Sequence, residues 1–203
     1  MSGVEGAERE DHDEREAAIV REDAEIELRK LRYAFMAESS RRARLIILCG
    51  LPGSGKTTLG KALEVRLQAV RFAPDEWMNA LSLDLYDEPR RAKIEELQWE
   101  LGQQLLQLGL TVIIEWGTWG RSERDRLRLG ARALGAAVEL HYLSAPLEVL
   151  FERVQRRGME NPPIARDALF HWSKVFQAPT AEEKAEFDEP LASDIDLDLI
   201  PYE

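Results

Sequence analysis

The stretch Gly50-Leu51-Pro52-Gly53-Ser54-Gly55-Lys56-Thr57 decides the fold of this chain. It matches the pattern G-x-x-x-x-G-K-[ST], follows an apolar run at 44–49 and precedes a helical run at 57–68. The glycines let the backbone turn its N–H groups inward around a phosphate, and the start of the helix presents unpaired N–H groups to the same anion. We therefore predict a nucleotide-binding loop formed by Gly50, Pro52, Gly53, Ser54, Gly55, Lys56, Thr57 and Thr58.

Two side chains of this loop have specific chemical roles in the prediction. Lys56 reaches the β- and γ-phosphates of the nucleotide as a point charge, and it is therefore a candidate catalytic residue. The Thr57 hydroxyl is a candidate ligand of Mg²⁺. A glycine turn without a function would have no reason to place lysine and threonine at these positions, so the loop predicts ATP and Mg²⁺ as cofactors.

Apolar runs alternate with helical patterns along the middle of the chain. Such alternation is typical of an α/β fold, in which helices cover both faces of a parallel sheet. The expected architecture is a three-layer α/β/α sandwich with a small helical lid. The predicted strands lie at 44–50, 69–73, 110–116 and 136–143, and the predicted helices at 57–68, 90–108, 121–134, 146–157 and from 164 onward.

The charge is concentrated at the two ends of the chain. The 203 residues contain 38 acids and 27 bases, a net charge of −11, of which 1–42 carry −4 and 180–203 carry −8. The segment 43–179 has a balance of +1. We therefore predict a domain at 43–179 between an acidic N-terminal extension and an acidic C-terminal tail. A helix is expected at 14–38, either for oligomer or partner contact or packed on its own domain, and 195–200 could form an edge strand.

Composition narrows the function classes further. An acidic chain is not attracted to nucleic acid or to an anionic membrane surface as a whole. No apolar run approaches the roughly 20 residues that span a bilayer, and the acidic N-terminus does not resemble a signal peptide. The single cysteine, Cys49, excludes an intramolecular disulfide and a cysteine-cluster metal site. The expectation is a cytoplasmic protein without membrane contact.

Two carboxylates follow predicted strands and should reach the ligand. In an open parallel sheet the ligand lies beyond the carboxyl ends of the strands. Asp75 comes just after the second strand and is a candidate general base that accepts a proton from an attacking hydroxyl. Its alternative role is an N-cap of a short helix near Glu76. Glu115 ends the third strand and is a candidate for holding Mg²⁺, directly or through water.

Arginines after the third and fourth strands form two further groups. Arg153 and Arg157 lie four residues apart on one helix, where they could stack on the base and neutralise the transferring phosphoryl group, or complement the helix dipole. The run from Arg121 to Arg132 is interpreted as mostly a solvated face, although Arg121 and Arg124 could touch substrate.

The segments GLPGSGKTTL, FAPDEW, VIIEWGTWGRSERDRLR, LEVLFERVQRRG and FQAPTAEE together resemble a known group. It comprises the P-loop kinases of the zeta-toxin, chloramphenicol phosphotransferase and polynucleotide kinase type, within the ATP-binding proteins that contain an AAA domain. The similarity covers about 43–187. It implies a P-loop NTPase fold, Asp75 as the base that activates the acceptor hydroxyl, and Arg153 and Arg157 as ATP-binding lid residues, with Arg157 also catalytic.

One position departs from this group. Polynucleotide kinases of the type commonly have an arginine three residues after the aspartate, and this chain has Met78 there. Trp77, Met78, Trp116 and Trp119 could instead form apolar walls around a small acceptor, or pack in the core or lid. The prediction is an ATP-dependent kinase that phosphorylates a small-molecule hydroxyl. The alternatives are a polynucleotide 5′-hydroxyl kinase and a non-kinase ATPase switch acting on a protein partner.

Overall fold

The computed structural model, which describes residues 42–158 and 162–191, contains the strands β1 Arg44–Cys49, β2 Val70–Phe72, β3 Thr111–Gly117 and β4 Ala137–Tyr142. These four strands are parallel and form one sheet in the order β2–β3–β1–β4. The central strand β1 is buried over 45–49, as expected for a strand that is covered on both faces. The predicted α/β class and parallel sheet are confirmed. The expected helix at 14–38 and strand at 195–200 lie outside the described residues.

The five helices predicted from the sequence begin close to the predicted positions, and the structure adds two short helices, at 74–80 and 181–184. The helix predicted at 90–108 runs from Glu88 to Gln107, and it is capped by Asp87, whose carboxylate accepts a hydrogen bond from the Arg90 backbone N–H at 3.1 Å. None of the described helices is long and apolar enough to cross a membrane. The bounds are α1 Lys56–Leu67, α2 Pro74–Ala80, α3 Glu88–Gln107, α4 Arg121–Ala133, α5 Leu147–Arg157, α6 Arg166–Val175 and α7 Ala181–Lys184.

Each face of the sheet has its own apolar core. Ile113 of β3 packs with Leu63 of α1 on one face, whereas Ile114 packs with Trp99 of α3 and Leu127 of α4 on the other. Successive strand residues point to opposite faces, which is why neighbours in β3 belong to different cores. A third cluster joins α5 and α6 to Leu51 of the phosphate loop. The result is a three-layer domain whose lid helices pack on the loop.

Most of the arginine run of α4 is not a solvated face, contrary to the sequence interpretation. Four of its five arginines lie three or four residues apart and bind acidic residues of the C-terminal segment 180–191, whereas Arg126 is exposed. Arg124 is fully buried and therefore cannot touch substrate. The packed chain thus continues beyond residue 179, because the acids beyond it neutralise these arginines. The pairs are Arg121–Glu186 at 3.1 Å, Arg124–Glu183 at 2.6 Å, Arg128–Glu186 and Arg132–Asp188 at 2.7 Å.

Candidate active site

The phosphate loop has a backbone that only glycine can adopt easily. Gly53 and Gly55 have φ values of +79° and +99°. A Cβ on Gly53 would also lie 2.5 Å from the Leu150 carbonyl oxygen, because the lid helix α5 packs directly on the loop. Gly55 precedes the first turn of α1, where the early N–H groups have no acceptor within the helix. These groups form an anion-binding position at the end of β1.

Lys56 lies where several charged groups of the domain meet. Its Nζ donates a hydrogen bond to the Leu51 carbonyl oxygen at 3.0 Å. Burial lowers the pKa of the Lys56 ammonium to about 8; the carboxylates of Glu115 and Asp75 oppose this shift, and Arg157 adds to it. The two predicted carboxylates and one lid arginine are therefore within electrostatic reach of the Lys56 ammonium group.

Glu115 is held from two sides. The Thr57 hydroxyl donates a hydrogen bond to its Oε1, and the Arg71 guanidinium donates to its Oε2 at 2.6 Å. The pairing of β3 with β1 shifts register between Ile47 and Cys49, and the extra residue on β3 falls at Glu115–Trp116. Such bulges re-aim side chains at the end of a strand. Sequence reasoning did not identify Arg71, because an arginine in a short strand gives no signal of its partners.

The donor set fits Mg²⁺ only when a nucleotide is bound. Among residues 42–158 and 162–191, the structure contains no group of three or more His, Cys, Asp and Glu side chains that could hold a metal ion. One hydroxyl and one carboxylate are available, at Thr57 and Glu115. Mg²⁺ usually binds one or two protein oxygens together with waters and substrate phosphates, which matches this incomplete set.

Asp75 is not a helix N-cap. Helix α2 begins at Pro74 and is preceded by Ala73, so Asp75 is the second residue of the helix and the alternative interpretation is wrong. Its side chain is 63% exposed, and Oδ1 accepts a hydrogen bond from Arg91 at 2.6 Å. Arg91 is itself oriented by a bond of 3.1 Å to the Leu85 carbonyl oxygen. Asp75 is therefore an accessible carboxylate whose orientation is set by α3.

Two glutamates missed by sequence reasoning lie near Asp75. Burial raises the pKa of Glu95 to about 7, the charges of Glu123 and Asp75 add to that rise, and Arg91 opposes it. Burial also raises the pKa of Glu123. Glu95 comes from α3 and Glu123 from the first turn of α4, and Glu95 is the one whose pKa is affected by the charge of Asp75.

The lid arginines lie on the face of α5 that meets the loop. Arg153 is 3.5 Å from the Gly53 carbonyl oxygen, and Arg157 acts on the pKa of Lys56. The structure thus brings α5 to the phosphate loop. Binding of ATP by these two side chains stays a prediction.

The aromatic wall predicted around the acceptor is only partly available. Met78 is fully buried, so the core-packing alternative holds for this residue. Trp77 and Trp116 are half-buried against the apolar core of α3 and α4. Trp119 packs on Trp172 of the lid, with ring centroids 5.7 Å apart. Three tryptophans are left with some surface, whereas Met78 contributes none.

Comparison with known proteins places this geometry in a family. The profile described as AAA domain matches residues 45–179. The shikimate kinase of Chlamydia pneumoniae is 30% identical over 132 residues, which cover 61% of this chain and 70% of the relative. A gluconokinase from Sinorhizobium meliloti 1021 has a TM-score of 0.51 at 21% identity, covering 71% of this chain and 81% of that one.

A further solved structure shares the fold. A chain of the Pnkp1/Rnl/Hen1 RNA repair complex has a TM-score of 0.57 at 23% identity and covers 73% of this chain and 47% of that one. This chain belongs to the AAA domain family and is an ATP-dependent enzyme of the P-loop kinase type. The resemblance identified from the sequence and the expected enzyme class are thereby confirmed.

Proposed function

We propose that this chain transfers the γ-phosphoryl group of ATP to a hydroxyl group of a small molecule. The observation that carries the proposal is the convergence on Lys56, whose pKa responds to Glu115, Asp75 and Arg157. A phosphate-binding lysine, a carboxylate beside the Mg²⁺ ligand and an accessible carboxylate are the parts that phosphoryl transfer to a hydroxyl requires.

In this proposal the acceptor oxygen attacks the γ-phosphorus while the bond to the β-phosphate oxygen breaks. The hydroxyl proton moves to Asp75 Oδ1 or Oδ2, and ADP leaves. Arg91 keeps the Asp75 carboxylate oriented. Lys56 and Arg157 stabilise the charge on the phosphoryl oxygens. Thr57 would hold Mg²⁺ through its hydroxyl, which donates a hydrogen bond to Glu115. When bound, Mg²⁺ would supply positive charge that offsets the negative charge of the phosphate oxygens. Positioning and charge stabilisation account for most of the rate enhancement.

A small acceptor is favoured over a polynucleotide. Met78 occupies the position where the resemblance places a phosphate-gripping arginine, and its side chain is fully buried. The shikimate kinase and gluconokinase relatives are named for small hydroxyl compounds. Trp77 and Trp116, half-buried at the same end of the sheet as Asp75, offer apolar surface to such a compound.

An acceptor screen with γ-labelled ATP tests the proposal. The full-length protein is offered polyols and sugars, hydroxy acids and a 5′-hydroxyl oligonucleotide in separate reactions. The label should enter one small-molecule class, and Asp75→Asn should lower that transfer by about 10²–10⁴-fold. The matched control Asp84→Asn removes a carboxylate from the loop after α2 and should retain wild-type transfer. Label in the oligonucleotide alone, or only free phosphate, would contradict the proposal.

A further inference from the structure

Arg71 lies at the centre of a cluster of three glutamates beneath the phosphate loop. Its Nε donates to Glu64 at 3.0 Å, and its two terminal nitrogens donate to Glu76 and Glu115, each at 2.6 Å. The Arg71 side chain is 6% exposed and that of Glu115 is 7% exposed, whereas Glu64 and Glu76 are open to solvent. The Arg71–Glu115 pair is therefore the desolvated contact of the cluster, and the other two carboxylates fix the guanidinium from outside.

The Arg71–Glu115 pair is linked to the phosphate loop through a hydrogen bond from Thr57. Glu115 uses Oε2 for Arg71 and Oε1 for the Thr57 hydroxyl, so both of its oxygens are engaged. A carboxylate held in this way acts on a metal through the Thr57 hydroxyl, from which it accepts a hydrogen bond. That hydrogen bond leaves the lone pairs of the Thr57 oxygen for a cation.

The packing around the pair leaves little freedom. A Cβ on Gly60 of α1 would lie 3.0 Å from both Glu115 Oε2 and the Arg71 side chain. Arg71 pairs in register with Ile113, two residues before Glu115 on the neighbouring strand, so its backbone is fixed by the sheet. If Arg71 only neutralised nearby carboxylates, its side chain would not need to be enclosed beside Gly60.

We propose that Arg71 is a positioning residue for the metal site: it fixes the Glu115 carboxylate, which orients the Thr57 hydroxyl for Mg²⁺ bound with the nucleotide. This inference rests on the proposed Mg²⁺-dependent function. Partners that orient metal ligands through a second hydrogen bond commonly change metal affinity by about 10–100-fold when replaced. Lysine keeps the charge of Arg71 but cannot donate to three carboxylates in a planar geometry.

Calorimetric titration of the full-length protein with ADP, with and without MgCl₂, tests the inference without any acceptor. The wild type should bind ADP more tightly with Mg²⁺, and Arg71→Lys should lower that enhancement by about 10-fold while affinity for ADP alone stays within about 2-fold. Glu64→Gln removes the charge of an outer partner of Arg71 but keeps an oxygen that can accept the Arg71 hydrogen bond, and it should retain the wild-type enhancement.

Two further variants separate positioning from folding. If Arg71 acts through Glu115, Arg71→Lys should have no further effect on the enhancement in a Glu115→Gln background. Gly60→Ala keeps every charge but displaces the pair, and it should also lower the enhancement, by about 3-fold or more. This variant tests the inference if Arg71→Lys does not fold.

Several results would overturn the inference. One is that Mg²⁺ increases the ADP affinity of folded Arg71→Lys or Gly60→Ala as much as that of the wild type. Another is that Arg71→Lys loses ADP affinity equally with and without Mg²⁺. A third is that the effects of Arg71→Lys and Glu115→Gln on the Mg²⁺-dependent increase are additive. A wild type without Mg²⁺ enhancement would overturn it together with the metal site. An intact enhancement without phosphoryl transfer to any acceptor would count against the proposed function alone.

Discussion

Replacing Arg124 by methionine should destabilise the domain more than any other single change among the arginines of α4. The guanidinium donates two hydrogen bonds to the buried Glu183, at 2.6 and 2.9 Å, and one each to the carbonyl oxygens of Thr118 and Gln177, at 2.8 and 2.9 Å. Both charged side chains are essentially inaccessible, so the substitution leaves one unpaired carboxylate in the interior. Removing one partner of such a pair costs about 3–5 kcal/mol.

Urea unfolding followed by circular dichroism measures this loss in the full-length protein. Arg132→Met is the matched control, because Arg132 binds Asp188 on the same helix face but is partly exposed, and its loss should cost about 1 kcal/mol or less. The double variant Arg124→Met, Glu183→Met should be more stable than Arg124→Met alone, since it removes the unpaired charge. An Arg124→Met protein within about 1 kcal/mol of wild type would show that the buried Arg124–Glu183 pair does not stabilise the fold as expected.

Three further predictions address the site. Because burial lowers the pKa of Lys56 to about 8, the free protein loses this charge above pH 8, and calorimetry should show proton uptake and an ADP affinity that falls about 10-fold per pH unit. Burial raises the folded-state pKa of Glu95 to about 7, so its ionised form destabilises the fold as pH rises. Glu95→Gln should therefore raise the free energy of unfolding by about 1–3 kcal/mol at pH 8 and leave it unchanged near pH 4, whereas the exposed Glu96→Gln should have no such effect. Gly53→Ala, whose Cβ would meet the Leu150 carbonyl oxygen, should abolish ADP binding; Gly109→Ala, with a similar φ of +83° but open space around it, should cost about 1 kcal/mol and leave binding intact.

The sequence was sufficient for the fold and for the side chains that follow strands. Motif spacing predicts the phosphate loop, and the positions of Asp75 and Glu115 follow from the rule that ligands bind at the carboxyl ends of parallel strands. The structure brings both carboxylates within reach of Lys56. These predictions depend on local pattern and topology, which one sequence displays directly.

The partners of these side chains were not predictable, because packing between distant segments determines them. Arg71 and Arg91 orient the two predicted carboxylates, yet each appears in the sequence as an ordinary charged residue. The charge count also divided the chain at residue 179, although the segments on either side of this residue pack together. The +1 balance of 43–179 includes α4 arginines whose carboxylate partners lie in the acidic segment after residue 179. A charge balance along the chain does not show which opposite charges meet in the fold.

The product balance of a single reaction with γ-labelled ATP and the small hydroxyl compound labelled in the screen decides whether this chain is a small-molecule kinase. The wild type should form ADP and phosphorylated acceptor in equal amounts. Asp75→Asn should bind ADP normally but lose transfer by about 10²–10⁴-fold. ADP and free phosphate without phosphorylated acceptor, or transfer by Asp75→Asn at the wild-type rate, would contradict the proposed function.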